Sequence, residues 1–452
     1  MSRFSIRVQK ALRILRDEGI QSLYQRMAGK YSVMDKYSDN LPANIDGSKS
    51  PPIIFVGKKL SAAQLREALI NKMPHEAYTI VLSQDDYLNN VGGVQLKIAD
   101  EQAAANQKGG SYLHIHPYAA RQTLVFEDHP VLGVNLNGER IGFVDQNALI
   151  EVMEGLTTKR VSTVSIHHTM GFNLDFVQWL IKAANTEQVF FWLHDFFSLC
   201  PSYFLLRNNI AYCGAPDISS NACQICAYGA LREKQQQAFT TLFQNNRIEI
   251  VAPSEFTLSL WKEKFPVKGV PGKVRPHAAL VWKESSPRQI SGSPLRIAFV
   301  GFPVFHKGWN TWLRLTKQLR DDPRFEFYLF SSMRRASRNY KQITVAVTKQ
   351  DRSKMSRVLR DNHIDVAFLW SICPETFSFT LYESLAAGCY VLTCRDSGNI
   401  QYYLREHPVQ GQVVESEKAL FELFSGGGIV EQVETYQKDG LPQAEIFINN
   451  AE

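Results

Sequence analysis

The stretch from Pro374 to Gly388 reads Pro-Glu-Thr-Phe-Ser-Phe-Thr-Leu-Tyr-Glu-Ser-Leu-Ala-Ala-Gly and lies between the apolar runs 366–370 and 389–393. This pattern predicts a strand, a turn, a helix that ends at Gly388 and a second strand, which together form one βαβ unit. The turn therefore falls at the carboxyl end of a parallel strand, where backbone N–H groups and the helix dipole favour an anionic ligand such as a diphosphate. Glu375 lies in the turn and Glu383 lies eight residues later in the helix. One carboxylate can reach a sugar while the other accepts a hydrogen bond from a ribose.

Two further turns with similar surroundings flank this unit. Lys307 and Gly308 lie between a predicted strand at 296–300 and a predicted helix at 308–320. The run Arg395-Asp396-Ser397-Gly398-Asn399 follows a predicted strand at 390–394 and opens another helix. Small residues in such a turn can wrap a phosphate with backbone N–H groups. Three such turns, each after an apolar strand, together indicate a ligand-binding function.

The motif Pro-Glu-Thr-Phe-Ser, with Glu-x7-Glu and Glu-Ser-Leu-Ala-Ala-Gly, resembles the donor-binding signature of the retaining glycosyltransferase family 4. The resemblance implies an α/β protein of GT-B fold, with two Rossmann-like domains facing across a cleft. It implies that Glu375 acts at the reacting end of a nucleotide-diphosphate sugar, that Lys307 offsets charge on the leaving diphosphate, and that Glu383 binds the ribose. It also implies donor contacts from the neighbouring turns, namely from Gly301, Thr376, Phe377, Ser378, Arg395, Ser397, Gly398 and Asn399.

The chain departs from the family at one position of this site. Family members usually carry an arginine just after the glycine that follows the first strand, and here that residue is Phe302. His306 or Arg395 would have to share the phosphate-binding role.

The N-terminal half carries its own candidate residues. The turn around Gly92 and Gly93 opens a helix and resembles the glycine-rich first turn of family 4 enzymes, where small residues let the backbone approach donor and acceptor. His167 and His168 end one predicted strand and His194 ends the next, so we expect them at the ligand crevice. The resemblance implies that His167 or His168 is the active-site histidine near the donor sugar, and all three histidines are candidate catalytic residues.

A cysteine cluster follows the last of these histidines. Four cysteines lie within 27 residues, at Cys200, Cys213, Cys223 and Cys226. Cys-x2-Cys is a zinc-knuckle spacing, and two more thiols can complete a tetrahedral structural zinc site that leaves no position open for chemistry. Free cysteines in a cytosolic loop are the alternative. The segment 194–201 with these cysteines resembles a subgroup of family 4 enzymes that build bacterial surface polysaccharides.

Length and patterning predict more than one domain. At 452 residues and 44% hydrophobic content, the chain can build two or more cores. Strand-like runs alternate with helical patterns, including those at 94–106 and 174–184, which predicts a largely parallel sheet with helices on both faces. The strand-like runs are 53–56, 79–82, 112–115, 123–126, 161–166, 189–193 and 248–251. Stretches rich in Ser, Gly and Pro at 37–52 and 285–294 indicate linkers. The predicted organisation is a basic helix and linker (1–50), an acceptor domain (51–285), a nucleotide-sugar domain (295–415) and a tail (416–452) that could cross back onto the acceptor domain.

The N-terminal segment holds most of the net charge of +6. Within residues 1–30, seven Lys and Arg residues stand against two acidic residues, largely opposite an apolar stripe at helical spacing. This pattern is typical of an amphipathic helix in an anionic membrane interface, and a helix packed on the body of the protein is the alternative. The chain lacks a long apolar run and a signal-peptide pattern, and its odd number of seven cysteines suits a reducing compartment. We expect a cytoplasmic protein held through residues 1–32 at the inner face of the membrane, with no nucleic-acid partner because no basic stripe continues beyond this segment.

The expected reaction follows from the resemblance. It is the retaining transfer of a hexose-type sugar from a nucleotide-diphosphate donor to a glycan or lipid-linked acceptor in surface polysaccharide assembly. The chain has no Asp-x-Asp, the metal-binding pair expected of the GT-A fold, so we expect no catalytic cofactor. The leaving phosphate oxygen can accept the acceptor proton, and positioning and electrostatic stabilisation then supply most of the rate. Two alternatives are a sugar-nucleotide epimerase of related fold, which needs no acceptor, and a non-catalytic binding subunit of an assembly complex, which the departure at Phe302 would suit.

Overall fold

The computed structural model describes residues 58–73, 76–90, 92–118, 121–126, 129–156, 160–283, 294–348, 350–438 and 443–448. The chain divides into two compact units, one covering Pro42–His277 and the other Ala278–Ile448. Four predicted segments lie outside the described residues, wholly or nearly so, and stay predictions: the membrane helix at 1–32, the linker at 37–52, the strand at 53–56 and nearly all of the linker at 285–294. None of the helices in the described ranges is long and apolar enough to cross a membrane.

The first unit is built on an eight-stranded sheet. The strands of this unit are β1 (Ala77–Leu82), β2 (Ser111–Pro117), β3 (Val131–Leu136), β4 (Glu139–Asp145), β5 (Arg160–Ile166), β6 (Val189–Trp192), β7 (Leu206–Arg207), β8 (Ala211–Tyr212), β9 (Glu249–Ala252) and β10 (Gly272–Val274). The sheet order is β10-β9-β6-β5-β1-β2-β3-β4, whereas β7 and β8 form a separate hairpin. All pairings from β10 to β2 are parallel, and β3 and β4 extend the sheet as antiparallel strands.

Helices cover this sheet, and local sequence sets several of their ends. They are α1 (Ala62–Lys72), α2 (Gly93–Gln107), α3 (Gln146–Gly155), α4 (Leu174–Ala184), α5 (Asn221–Gln224), α6 (Gly229–Asn245) and α7 (Glu255–Lys264). Ser61 forms a capping box with Gln64 at the start of α1, and the side chains of Asn173 and Ser254 cap α4 and α7. The central strands have fully buried residues such as Ile80, as expected for a parallel sheet covered on both faces.

The antiparallel edge was not among the predicted elements, and one predicted strand was wrong. The strands β3 and β4 are joined by Asn137-Gly138, both with positive φ (51° and 88°), which is the dipeptide that hairpin turns prefer. The run 123–126, predicted as a strand, forms none. Its residue Val125 is buried and donates its N–H to the carbonyl of Phe172 at 2.9 Å. The carbonyl of Thr123 also accepts from the N–H of Gly171 at 2.9 Å. An apolar run can therefore be buried through two isolated backbone hydrogen bonds without forming a strand.

The second unit is built on a six-stranded sheet in which every pairing is parallel. The strands of this unit are β11 (Ala278–Lys283), β12 (Leu295–Val300), β13 (Phe325–Ser331), β14 (Lys341–Thr344), β15 (Val366–Phe368), β16 (Tyr390–Cys394), β17 (Gly411–Val414) and β18 (Gln443–Ile448). The six strands β12 to β17 form the sheet, whereas β11 and β18 form a separate antiparallel pair. Its helices are α8 (Trp309–Gln318), α9 (Lys354–Asp361), α10 (Phe379–Ala386), α11 (Asn399–Glu406), α12 (Glu417–Ser425) and α13 (Gly428–Lys438), with short 3-10 turns at Phe305–Lys307 and Pro408–Gln410. The order β14-β13-β12-β15-β16-β17 is the doubly wound 3-2-1-4-5-6 order of a Rossmann domain.

The described part of the tail belongs to this second unit. Leu420 and Phe424 of α12 and Ile429 and Val433 of α13 are fully buried in the core on one face of the sheet. The strand β18 pairs with β11. The residues of β11 lie within the predicted acceptor domain (51–285). The apolar side chains of residues 417–438 therefore contribute to the core of the second unit, and the crossing of the tail onto the acceptor domain stays a prediction.

Candidate functional site

The site in the second unit lies at the carboxyl end of its sheet, where β12 and β15 are neighbours. From this point the chain proceeds to β13 on one side and to β16 on the other, so the connecting loops diverge and leave a crevice. Lys307 follows β12 and Glu375 follows β15. The Lys307 ammonium donates a hydrogen bond to Glu375 Oε1. The sheet order thus joins two residues that are 68 positions apart in sequence.

Backbone and side-chain hydrogen bonds hold this ion pair in place. Ser371 Oγ donates to Glu375 Oε1 at 2.8 Å, and the N–H of Ile372 donates to the carbonyl of His306 at 2.9 Å. The Glu375 side chain is 12% exposed and the Lys307 side chain 35% exposed. The carboxylate is therefore fixed, while the ammonium stays accessible to an anionic ligand.

The turn at 395–399 is locked against Glu375. The N–H of Asn399 donates to the carbonyl of Glu375 at 2.8 Å, and Asn399 Oδ1 accepts from the N–H of Ser378 at 3.3 Å. Gly398 has a φ of 63°, and a Cβ there would lie 2.6 Å from the backbone nitrogen of Glu375. Only glycine permits this approach. The three predicted turns therefore meet at one residue, Glu375.

Glu383 lies buried on α10, with only 7% of the residue exposed. Burial raises the pKa of its carboxyl group to about 8. The group makes no hydrogen bond to any described residue. A buried polar group without a protein partner is costly, and this carboxyl group still has the capacity to hydrogen-bond a ligand.

The remaining predicted donor contacts are of several kinds. The hydroxyl of Ser378 caps α10 and that of Ser397 donates to the Cys394 carbonyl at 2.8 Å, so both are used within their turns. Gly301 has a φ of 108°, Thr376 lies beside Glu375, and Phe377 stacks on Tyr382 with ring centroids 4.8 Å apart.

Fewer side chains carry a positive charge around these turns than the sequence suggested. Burial, reinforced by the charge of Lys307, lowers the pKa of His306 to about 3, so His306 is neutral at physiological pH. The side chain of Arg395 is 62% exposed. Of the two residues proposed to replace the missing arginine at Phe302, only Arg395 can therefore add charge at neutral pH.

The histidines of the first unit lie at its own switch point, between β1 and β5. His167 follows β5, and its backbone N–H donates to the carbonyl of Leu82 at 2.8 Å. His167 Nδ1 lies 2.9 Å from His194 Nε2, and the two rings stack with centroids 5.1 Å apart. The His194 ring stacks in turn on His277 at 5.4 Å. His167 is fully buried and His194 is partly exposed, so His194 is the member of this cluster that a ligand can reach.

His168 has a different environment from its neighbour. Its Nδ1 accepts from the backbone N–H of Met170 at 3.1 Å, and its Nε2 lies 2.9 Å from Asp195 Oδ2. Its Nε2 therefore carries the proton that is donated to the carboxylate. Both ring nitrogens make hydrogen bonds, and the residue is 5% exposed. His168 therefore holds the segment that follows β6 in place.

Sequence reasoning missed the polar residues on α2 that contact this histidine cluster. Glu101 Oε2 lies 2.8 Å from His167 Nε2, and Lys97 Nζ lies 3.9 Å from Glu101 Oε1. Burial lowers the pKa of Lys97. A Lys-x3-Glu spacing is usually a solvated ion pair. Here the Lys97–Glu101 pair lies on the same helix face as the buried Ile98. A charged pair beside a buried apolar residue is the sequence signal that could have identified it.

The predicted glycine-rich turn forms the start of α2. Gly92 is the N-cap residue and Gly93 is the first helical residue. A Cβ on Gly92 would lie 2.5 Å from the flexible end of Gln95, whose amide donates to Asp85 Oδ2 at 3.3 Å. The turn is therefore tied to the segment that follows β1.

The four cysteines come together around one small cavity of about 20 Å³. It is lined by Cys200, Cys213, Cys223 and Cys226, which lie on three loops and a short helix. Cys213 Sγ donates to the carbonyl of Leu205 at 3.1 Å. In the described ranges no group of three or more His, Cys, Asp or Glu side chains is already arranged as a metal site.

The chain is similar to known proteins in its architecture. No family model matches the chain, and no curated protein sequence matches it. Among solved structures, a sucrose-phosphate synthase from Thermosynechococcus elongatus is similar with a TM-score of 0.49 and 11% identity, over 81% of this chain and 94% of that chain. WaaG, a glycosyltransferase involved in lipopolysaccharide biosynthesis, has a TM-score of 0.46 and 10% identity over 80% and 93%. HepE from Anabaena, solved with UDP-glucose, has a TM-score of 0.44 and 12% identity over the same shares, 80% and 93%.

The class of protein follows from the sheets themselves. Each unit has a mostly or wholly parallel sheet with helices on both faces, and each has a switch point where polar residues gather. Two Rossmann-like units in tandem are the components of the GT-B fold.

Proposed function

We propose that the chain is a retaining glycosyltransferase that moves a hexose-type sugar from a nucleotide-diphosphate donor to a glycan or lipid-linked acceptor. The Lys307–Glu375 ion pair at the switch point of the second unit is the observation that carries this proposal. It combines a reachable cation with a fixed carboxylate at the place where Rossmann sheets bind nucleotides. We place the reaction in surface polysaccharide assembly, with residues 1–32 as the contact to an anionic membrane.

The proposed roles follow from the charges and burial at the site. The diphosphate lies against Lys307, Arg395 and the first N–H groups of α11, which carry the positive end of the helix dipole. A ribose hydroxyl donates to Glu383. As the bond between the anomeric carbon and the leaving oxygen breaks, Lys307 stabilises the growing negative charge on that oxygen. The leaving oxygen takes the proton of the acceptor hydroxyl, and the acceptor oxygen forms the new bond to the anomeric carbon on the same face. No protein side chain is then needed as a base.

A panel of nucleotide sugars tests this proposal. A donor present at a hundredfold its dissociation constant should stabilise the protein by about 2.7 kcal/mol, which is measurable as a rise in Tm. We then expect the purified protein to hydrolyse that donor slowly to sugar and nucleoside diphosphate, with NMR showing retained anomeric configuration. Release of an epimerised sugar would indicate the epimerase, and a rise in Tm without turnover would indicate the binding subunit.

The pKa of Glu383 predicts a pH-dependent stability. Between its ordinary value of 4.5 and the folded value of about 8, the folded state holds a proton that the unfolded state releases. Stability should therefore fall as pH rises from 5 to 8, by up to about 1.4 kcal/mol per pH unit from this group. Glu383→Gln mimics the neutral acid and should remove this slope, as followed by urea unfolding at several pH values. The exposed Glu434→Gln is the control, and an equal slope in Glu383→Gln and wild type would contradict the prediction.

We propose further that the cysteine cavity is a structural zinc site. Arg232, which is 3% exposed, also lines the cavity, and its Nη1 donates to Cys223 Sγ at 3.1 Å. Its other hydrogen bonds go to the carbonyls of Leu199 and Pro216, at 3.1 and 2.8 Å. A buried guanidinium without a hydrogen-bonded carboxylate suits a site whose thiols become thiolates, because four thiolates and Zn²⁺ leave a net negative charge. The thiols must turn into the cavity to reach ligand distance.

Metal analysis tests the zinc proposal. We expect about one equivalent of zinc in protein purified without added metal, and we expect chelation to lower the Tm. Cys223→Ser should lose both properties. Cys373→Ser, at a buried cysteine in the other unit, is the matched control that should keep the zinc. Less than a tenth of an equivalent, with a Tm that does not respond to chelator, would contradict the site.

A further inference from the structure

Asp195 is a partly exposed carboxylate in a segment that is otherwise buried. It follows β6 at the carboxyl end of the first sheet, and its side chain is 25% exposed. The residues after it, 196–202, are all buried, and so are residues 167–172, which follow β5. The exposed part of the carboxylate therefore lies in a recess between two buried segments and not on a projecting loop.

Two protein groups hold this carboxylate, one at each oxygen. His168 Nε2 lies 2.9 Å from Oδ2, and the backbone N–H of Phe197 donates to Oδ1 at 2.8 Å. A carboxylate oxygen only accepts hydrogen bonds, so the histidine is the donor in the first of these contacts. His168 is 5% exposed and Phe197 is 2% exposed. Because both donors belong to buried residues, the carboxylate is held in one orientation.

The held carboxylate can accept more hydrogen bonds than the protein supplies. An ionised carboxylate has about four acceptor positions, and the two contacts above occupy two of them. Among the described residues, no Lys or Arg side chain forms an ion pair with Asp195. Two N–H donors already stabilise the charge, so a ligand that completes the site needs no positive charge of its own. The hydroxyl groups of a sugar are donors of this kind.

We propose that Asp195 binds a hydroxyl group of a neutral sugar acceptor, next to the hydroxyl that reacts, and thereby helps to select the acceptor. The role in transfer rests on the glycosyltransferase function proposed above, whereas binding of the sugar does not. An amino sugar would bring an ammonium group to the same carboxylate, and the experiment separates the two kinds of ligand.

Binding of methyl glycosides to the full-length protein, followed by saturation-transfer NMR, tests the site without a donor. We expect at least one neutral methyl hexoside to bind at millimolar concentrations. Removal of one hydroxyl from that ligand should weaken binding about ten- to a hundredfold, because a hydrogen bond to a charged group contributes that much. In Asp195→Ala the same deoxy ligand should bind within threefold of its parent.

Several results would overturn the proposal. They are an absence of binding to the wild-type protein, tighter binding of the corresponding amino sugars, and a wild-type affinity that no deoxy derivative changes. None of these three needs a variant, so they decide the proposal even if Asp195→Ala does not fold. An equal deoxy effect in wild type and Asp195→Ala would also contradict it. Asp145→Ala is the matched control and should keep the deoxy effect, since Asp145 is an exposed carboxylate of the same unit, 2.7 Å from Lys59 Nζ.

Kinetics distinguish binding of the acceptor from a merely structural role. With the donor identified, Asp195→Ala should leave hydrolysis of the donor by water within twofold of wild type. It should raise the acceptor KM about ten- to a hundredfold at nearly constant kcat. Equal losses of hydrolysis and transfer would show a structural role and overturn the proposal. If the wild-type protein turns over no donor, the proposed function fails, while the binding measurements still decide the role of Asp195.

Discussion

Replacing Lys307 or Glu375 with alanine is expected to lower kcat about a hundredfold, which corresponds to nearly 3 kcal/mol of lost transition-state stabilisation. In the proposed reaction, Lys307 faces charge that grows only as the leaving oxygen departs, and Glu375 holds that ammonium in place. Both should therefore matter more in the transition state than in the ground state. Glu383→Ala removes a ground-state contact to the ribose and should mainly raise the donor KM. Steady-state kinetics of the three variants with the identified donor measures the difference.

The two residues act as a unit, which a double variant can show. Because the ammonium and carboxylate contact each other, the losses of the single variants should not add in the Lys307→Ala, Glu375→Ala double variant. The Arg314–Glu417 ion pair in the same unit is the control. It has two hydrogen bonds of 2.6 and 2.7 Å, it is exposed, and it also joins residues that are far apart in sequence. Arg314→Ala should leave kcat within twofold. A near-normal kcat in both Lys307→Ala and Glu375→Ala would mean that the active site lies elsewhere.

Gly308→Ala is expected to lower the free energy of unfolding by roughly 3 kcal/mol or more, since it combines backbone strain with a steric clash. Gly308 has a φ of 80°, and an added Cβ would lie 2.1 Å from the carbonyl oxygen of Trp370. That oxygen belongs to the backbone after β15 and cannot move without shifting the segment that carries Glu375. Denaturant unfolding measures the stability, and donor titration should show weakened binding as well.

Gly427→Ala is the matched control for this prediction. Gly427 has a φ of 82° in the same unit, but its added Cβ would lie 3.2 Å from the far end of the flexible Arg324 side chain. Its cost should be about 1–2 kcal/mol, from the left-handed backbone alone. Equal destabilisation by the two variants would show that contact with Trp370 is unimportant.

Much of the second unit could be predicted from the sequence because its signals are local. The helix α4 of the first unit also has the predicted bounds, and α2 begins one residue before the predicted start and ends one residue after the predicted end. Apolar runs, a glycine at each sharp turn and capping residues such as Ser378 act within a few positions of one another. The Asn137-Gly138 turn signal is equally local, but the predicted elements did not include the hairpin that it forms. The run 123–126 was mistaken because burial alone does not distinguish a strand from a packed loop.

The sequence by itself determined where the candidate turns lie, since each turn follows its own strand and depends on residues close to it. Only the tertiary structure decided which of these residues meet. Lys307 reaches Glu375 because β12 and β15 are adjacent, although 68 positions separate the two side chains. Glu101 likewise contacts His167 although 66 positions separate them. The tail helices α12 and α13 pack into the core of the second unit, which is also a long-range contact. Strand order and burial are set by long-range packing of apolar faces, which short-range patterns do not encode.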